Sequence, residues 1–276
     1  MNVVWAFLIT ATVTAVAVVA LLLVRRRAPE GGLFEDGDRA AGVFGVLATG
    51  FSVLLGFIVF LAFESYDQSR SGAEQEALIL VQQVENAQFF PSPAAGKLTG
   101  QLVCYGRSVV NDEWDRMRAG TLGDAINPWG VRLFQTFRTV RPQTAAQQSV
   151  YAKWLDQTSA REEARRDRVH GAVGVIPSTL WIVLFFIAAV IFVFTLFFAD
   201  RSERAVVQGI LIGSVVSVIT VLMLLLFGLD KPFHSGVGGL EPVAMERSLR
   251  MVDEALGAVG VHVQPPCDSL GRTLSS

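Results

Sequence analysis

The residues of this chain that could do chemistry are few and poorly spaced for it. His170, His234 and His262 show no metal-ligand spacing to one another or to Cys104 and Cys267, so no metal is assigned to them. Asp112, Glu113 and Asp115 flank Trp114 on one predicted helix, where adjacent positions do not face each other; they read as exposed acids beside a bundle aromatic, not as a paired-carboxylate site. Glu64, Asp67, Glu74 and Glu76 form an acidic run. Repeated around an axis, such a run, with Glu64 and Asp67 foremost, would make a pore mouth that concentrates cations, although a solvated helix face is its commoner meaning. No phosphate-cradling glycine loop occurs, nor a nucleophile with a recognisable base. The chain reads as a non-enzyme with no catalytic residues, no metal and no cofactor.

The elements that hold these residues are legible from charge alone. Four runs of 22 to 25 residues carry no charged side chain: residues 3–24, 40–63, 175–199 and 205–229. About 20 apolar residues cross ~30 Å of hydrocarbon as a helix, so each run is long enough to span. A hydrophobic content of 51% is too high for an ordinary soluble domain. The expected place is the cell inner (plasma) membrane, multi-pass, with the lipid bilayer as first partner. A net charge of −2 points to no nucleic-acid partner. The first run resembles a signal peptide but is too long, and its arginines (Arg25, Arg26, Arg27) follow it; it is read as a retained span.

The fold class expected is all-α: four transmembrane helices, with a helical bundle inserted between spans two and three as extensions of those spans. Residues 1–63 hold spans one and two, 64–174 a polar four-helix bundle, 175–229 spans three and four, and 230–276 a polar tail with one short helix, 242–256. From Ala40 to Phe90 there is no proline, so span two should run on as one helix of about 50 residues until Phe89-Phe90-Pro91 ends it. Leu98, Leu102, Tyr105 and Val109 mark a second bundle helix to about Ala119. Asn127-Pro128 should cap a third, which Arg141-Pro142 stops. A fourth, from about Gln143, runs through the charged stretch 160–170 toward span three, with Pro177 at the junction. Beyond Gly257 the end reads as loosely ordered. Cys104 and Cys267 would share one side, but a lone pair without a spacing pattern is weak support for a disulfide, and two unpaired thiols is the simpler reading.

Orientation rests on the first helix, with three arginines after it and none before; this favours an outside N-terminus and an extracytoplasmic bundle. Small residues recur at four-residue spacing in span two (Ala48, Ser52, Gly56) and span four (Gly209, Gly213, Ser217), where they allow close helix packing. Contacts between copies and packing within one chain both satisfy that pattern. The second is the commoner meaning for span four, while the two weigh about equally for span two. No ionisable residue sits inside a span, which argues against a pump or proton-coupled carrier and suits a passive pore with an apolar constriction.

Three strings carry a family resemblance: GVLATGFSVLLGFIVFLAFESYDQSRSGAEQEA at the end of span two, NDEWDRM in the bundle, and GLDKPFHSGV after span four. Over residues 38–256 the chain resembles the bacterial four-span proteins called bestrophin-like, which bring no established activity with them. Their name points to bestrophins, pentameric anion channels whose second span lines the pore. Ser52-Val53-Leu54-Leu55-Gly56-Phe57 is similar to the bestrophin pore segment, and matching Leu-Gly-Phe implies that Thr49, Val53 and Phe57 line the neck. Gly50 stands where bestrophins usually have proline, and Glu64-Ser65-Tyr66 replaces Arg-Trp-Trp. An acidic entrance would repel anions, so anion selectivity is not implied. Bestrophins also keep their large domain cytosolic, opposite to the charge argument. The expectation is a homo-oligomeric passive channel, its permeant ion left open; the alternative is a non-conducting sensor or scaffold whose bundle binds a signal or partner.

Overall fold

The computed structural model describes residues 3–123 and 125–274. The two residues that open the first span's segment, and Ser275 and Ser276 of the serine-rich end, lie outside them. In chain order the α-helices are α1 (Val3–Arg25), α2 (Gly37–Ala87), α3 (Ala94–Ser108), α4 (Trp114–Arg118), α5 (Pro128–Phe137), α6 (Ala145–His170), α7 (Ser178–Leu196), α8 (Ala205–Asp230) and α9 (Val243–Ala258). A π-helical turn, Val109–Glu113, joins α3 to α4. The fold is all-α, and four helices (α1, α2, α7 and α8) are long and apolar enough to cross a membrane. No more than 22% of the most apolar stretch of any of them is buried within the chain, so lipid or other copies must cover the rest.

The chain divides into two compact units. One holds the described residues up to Ser65 with Gly174–Gly239; the other holds Tyr66–Val173 and everything from Leu240. In the first, Phe51, Leu55, Ile58 and Ala62 of α2 recur at helical spacing and pack on Leu184 and Ile191 of α7 and on Met223 and Leu226 of α8. A second cluster joins Ala17 and Leu21 of α1 to Ile212 and Val216 of α8. Arg25 ties the two short connections, donating from Nε to the Asp200 carbonyl at 3.0 Å and from Nη2 to that of Arg201 at 3.1 Å. Phe34, Phe44, Phe194 and Phe198 form a ring cluster with centroids 5.2 to 5.8 Å apart.

In the second unit the outer half of α2 pairs with α6. The buried positions of α6 are Trp154, Gln157, Arg161, Ala164 and Arg168, spaced three or four apart as in a coiled coil. Those of α2 include Ser69, Gly72, Glu76, Leu80, Gln83 and Ala87. Both seams are partly polar. Phe90, Phe137 and Trp154 close one end, with ring centroids 5.5 to 6.0 Å apart. Asn127 caps α5 as expected, its Oδ1 accepting from the Trp129 amide at 2.9 Å ahead of Pro128. α9 lays Met245, Ser248, Val252 and Leu256 against the unit, close to α3 at Gly106 and Leu249.

Four expectations are corrected. α6 does not continue into the third span: a 3-10 turn, Gly171–Val173, and Gly174 at φ +80° separate it from α7, which starts after Pro177. Proline disfavours helical geometry in the residue before it, and Asp230 Oδ1 takes up the freed amides of Val175 and Ile176 at 2.8 and 2.9 Å. Second, Glu76 and Glu113 are not solvated acids; both are buried. Third, Cys104 and Cys267 are not free thiols but form a disulfide, with Cα atoms 5.8 Å apart. Helix packing brings together residues 163 apart in sequence, a pairing that leaves no local spacing signal. Fourth, the end beyond Gly257 is held: Trp129 Nε1 donates to the Gly271 carbonyl at 2.7 Å, and Cys267 bridges to Thr273.

Gly72 marks a close approach of α2 and α6. A Cβ there would stand 2.5 Å from the Arg168 amide nitrogen and 2.6 Å from the Ala164 carbonyl oxygen, so α6 would have to move. Gly72→Ala is expected to destabilise the detergent-solubilised protein by about 1–3 kcal/mol in thermal unfolding. Gly96→Ala in α3, whose added methyl meets nothing within 4 Å, is expected to leave the midpoint unchanged or raise it slightly.

Candidate functional site

α2 presents two opposite faces within the first unit. Phe51, Leu55, Ile58 and Ala62 are buried, whereas Thr49, Val53 and Phe57 lie about half a turn away and are exposed. Val53 is 54% and Phe57 67% exposed, high for apolar side chains on the same helix as a packed core. Beside this stripe run Ala48, half-buried, and Ser52 and Gly56, both exposed. A methyl added at Gly42, Gly45, Gly50 or Gly56 would meet nothing within 4 Å. Ser52 Oγ donates to the Ala48 carbonyl at 2.8 Å, so its hydroxyl is satisfied without leaving the helix. The face is apolar to weakly polar and offers no titratable group.

The small residues of α8 are placed differently. A Cβ added at Gly209 or Gly213 would stand 3.6 Å from Val18 of α1, and one at Gly213 also 3.4 Å from Thr14; Ser217 Oγ shares a hydrogen bond with Thr14 Oγ1 at 2.8 Å. This stripe packs inside the protomer. The acidic residues also separate: Glu64 and Asp67 are exposed, Glu74 pairs with Arg70 at 3.1 Å on the surface, and Glu76 turns into the bundle.

There it meets a cluster that the sequence reading missed. Arg168, fully buried, donates from Nε to Glu76 Oε2 at 2.5 Å and from Nη2 to Glu113 Oε2 at 2.5 Å. Arg165 Nη2 donates to Glu113 Oε1 at 2.8 Å, and Asn127 Nδ2 to the same oxygen at 3.0 Å. Tyr105 donates its hydroxyl to Glu76 Oε1 at 2.5 Å, and its ring lies 4.7 Å beneath the Arg161 guanidinium. The π turn at Val109–Glu113 carries one of the two carboxylates, Glu113. Burial raises the carboxyl pKa of Glu113, but Arg168 and Arg165 outweigh it and hold the group below the usual glutamate value. Burial, with Glu76 beside it, pushes the Tyr105 phenol well above its ordinary value. The available signal was the α6 seam, where two arginines occupy positions that a coiled coil would fill with apolar residues. The chemistry of the cluster is that of a clamp, two carboxylates held by guanidinium, amide and phenol donors. Among the described residues no group of His, Cys, Asp or Glu could hold a metal ion.

Removing the central cation strands two buried carboxylates. Arg168→Met is expected to cost about 3–5 kcal/mol of bundle stability, and adding Glu76→Gln with Glu113→Gln should recover a large part of it. Glu113, with its folded pKa depressed, contributes stability that is present at neutral pH and lost as pH falls below the usual carboxylate range. A thermal-unfolding series from pH 7 downward should show that loss, and Glu113→Gln should flatten it.

Comparison with known proteins places this arrangement. A family model described as the bestrophin-like domain matches residues 3–245. A variant of a bacterial bestrophin homologue from Klebsiella pneumoniae superposes with a TM-score of 0.66 at 11% identity, covering 93% of this chain and 100% of that one. A second variant gives 0.64 at 12% identity over 92% and 99%. A structure described only as a membrane protein gives 0.65 at 11% identity over 95% and 100%. At such identities the likeness is one of fold. No curated protein matches the sequence. The chain is a membrane protein and belongs to the bestrophin-like family.

Proposed function

We propose that this protein is a homo-oligomeric passive ion channel of the inner (plasma) membrane in which α2 lines the pore, with Thr49, Val53 and Phe57 toward the axis and an apolar constriction near Val53 and Phe57. The observation that carries the reading is the two-faced α2: one side packed into the protomer, the other bare and edged by small residues. A ring of such helices would bring Ala48, Ser52 and Gly56 into contact between copies and turn the larger stripe inward. The constriction would gate by dewetting, since its side chains give water no partner. Glu64 and Asp67 would sit near its mouth and favour cations. The bestrophin-like family membership and the Klebsiella pneumoniae homologues' fold support the same reading.

One observation favours the alternative, a non-conducting sensor or scaffold whose bundle reads an external signal. The Cys104–Cys267 bond needs an oxidising compartment, which supports an extracytoplasmic bundle in agreement with the arginines that follow α1. A bestrophin arrangement keeps that domain in the cytosol.

Purified protein in planar bilayers is expected to conduct, and Val53→Ala with Phe57→Ala to raise its open probability. Gly56→Leu, which meets open space in the protomer, should leave the monomer folded and weaken the oligomer on crosslinking. Silent bilayers with a correctly assembled oligomer, or a strict monomer in detergent, would remove the channel reading. On intact cells, labelling of both cysteines by an impermeant maleimide only after an impermeant reductant would place the bundle outside; labelling of both only once the cells are opened would place it in the cytosol.

A further inference from the structure

An apolar groove of about 550 Å³ lies among α1, α7 and α8, open along one side. Val13, Trp181, Phe185, Phe192, Thr220 and Phe227 help to line it, and no charged side chain among the described residues does so. Thr220 Oγ1 donates to the Val216 carbonyl at 2.8 Å, so that hydroxyl is already satisfied. Along α7 the lining runs from Trp181 to Phe192, about 16 Å at 1.5 Å per residue. That is about half the hydrocarbon thickness, the depth of a single leaflet. A void lined in this way stays dry, and within a bilayer the material at hand to fill it is an acyl chain.

A cation stands at one end. Lys231 follows the last residue of α8, and its Nζ lies 5.1 Å from the centroid of the Phe227 ring. Phe227 in turn meets Trp181 edge-on at 6.2 Å, so aromatic rings join the groove to the ammonium without a gap. Lys231 is exposed and forms no ion pair among the described residues. Its neighbour Asp230 is buried, with Oδ1 accepting from the amides of Val175 and Ile176. The free positive charge therefore follows the end of a helix long and apolar enough to cross the membrane, where the chain would meet lipid headgroups.

We infer that the groove and Lys231 form a site for an anionic phospholipid of the leaflet in which α8 ends, one acyl chain in the groove and the phosphate on the Lys231 ammonium. The charge complementarity selects an anionic headgroup, and the length of the groove selects a chain of that same leaflet. The site is complete in one protomer and requires no conduction, so it goes beyond the channel reading.

The test uses the full chain carrying Trp5→Phe, which leaves Trp181 as the tryptophan within the spans, reconstituted in phosphatidylcholine vesicles with phosphatidylglycerol as a minor component. Bromine on the acyl chains quenches tryptophan on contact. With phosphatidylglycerol as the brominated lipid, quenching of Trp181 should report its enrichment about fivefold over its bulk fraction, as expected for one lysine at an anionic surface. Brominated phosphatidylcholine at the same fraction should show no enrichment. Lys231→Gln should bring the two lipids level while leaving quenching by phosphatidylcholine unchanged, and Ala188→Phe, which narrows the groove, should reduce quenching by both. Equal quenching by the two lipids in the parent chain would overturn the site, as would enrichment that survives Lys231→Gln. Quenching by neither would show that another copy of the chain covers the groove, and would overturn it as well.

Discussion

Hydrocarbon offers no hydrogen bond to a peptide group, and the first unit is arranged around that limit. Helices that satisfy their own backbones are the form such a chain takes in lipid, and the charge-free runs of α1, α2, α7 and α8 are what remain when ionised side chains are kept out. Inside lipid, association between apolar helices gains nothing from leaving water. It comes instead from close dispersion contact, which explains the glycines of α8 against Thr14 and Val18 and the shared hydroxyl bond at Ser217. At the ends of the spans water returns and the fastening changes character: Arg25 gathers carbonyls of the connection between α7 and α8, while Asp230 gathers the amides ahead of α7.

In the second unit the reverse problem is solved. Water is available, so burial of apolar surface drives assembly, yet the middle of the α2–α6 seam is charged. Glu76, Glu113, Arg165 and Arg168 neutralise one another and are supplemented by Tyr105 and Asn127, which leaves few hydrogen-bonding positions on the carboxylates open. A cluster of this kind adds little net stability over a well-packed apolar core, but it tolerates few alternative registers. Sliding α6 along α2 would strand a full charge, and Gly72 against the Arg168 backbone leaves no room for it.

The spans, the uninterrupted α2, the Asn127 cap and the all-helical class were legible because each depends on local properties: length, absence of charge, absence of proline, one capping side chain. The buried charges were not, because Glu76 and Arg168 are 92 residues apart and each looks solvated in its own stretch of sequence. The break between α6 and α7 was half legible; Pro177 announced a boundary, whereas the role of Asp230 in stabilising it came from the far end of α8. The disulfide was illegible for the same reason. As for α2, the spacing of Thr49, Val53 and Phe57 defines a face, but that this face is bare emerges only once Phe51, Leu55 and Ile58 are seen to be occupied.

That disulfide has a consequence for how the molecule is made. Cys104 precedes the third span and Cys267 follows the fourth, so the covalent ring it closes contains a whole transmembrane hairpin. Closure must wait until both crossings are complete and the C-terminal tail has reached the side of the membrane that holds Cys104. Oxidation therefore follows insertion: a chain stalled before its final crossing keeps two thiols. After closure, a proteolytic nick anywhere inside the ring leaves both fragments tethered to one another.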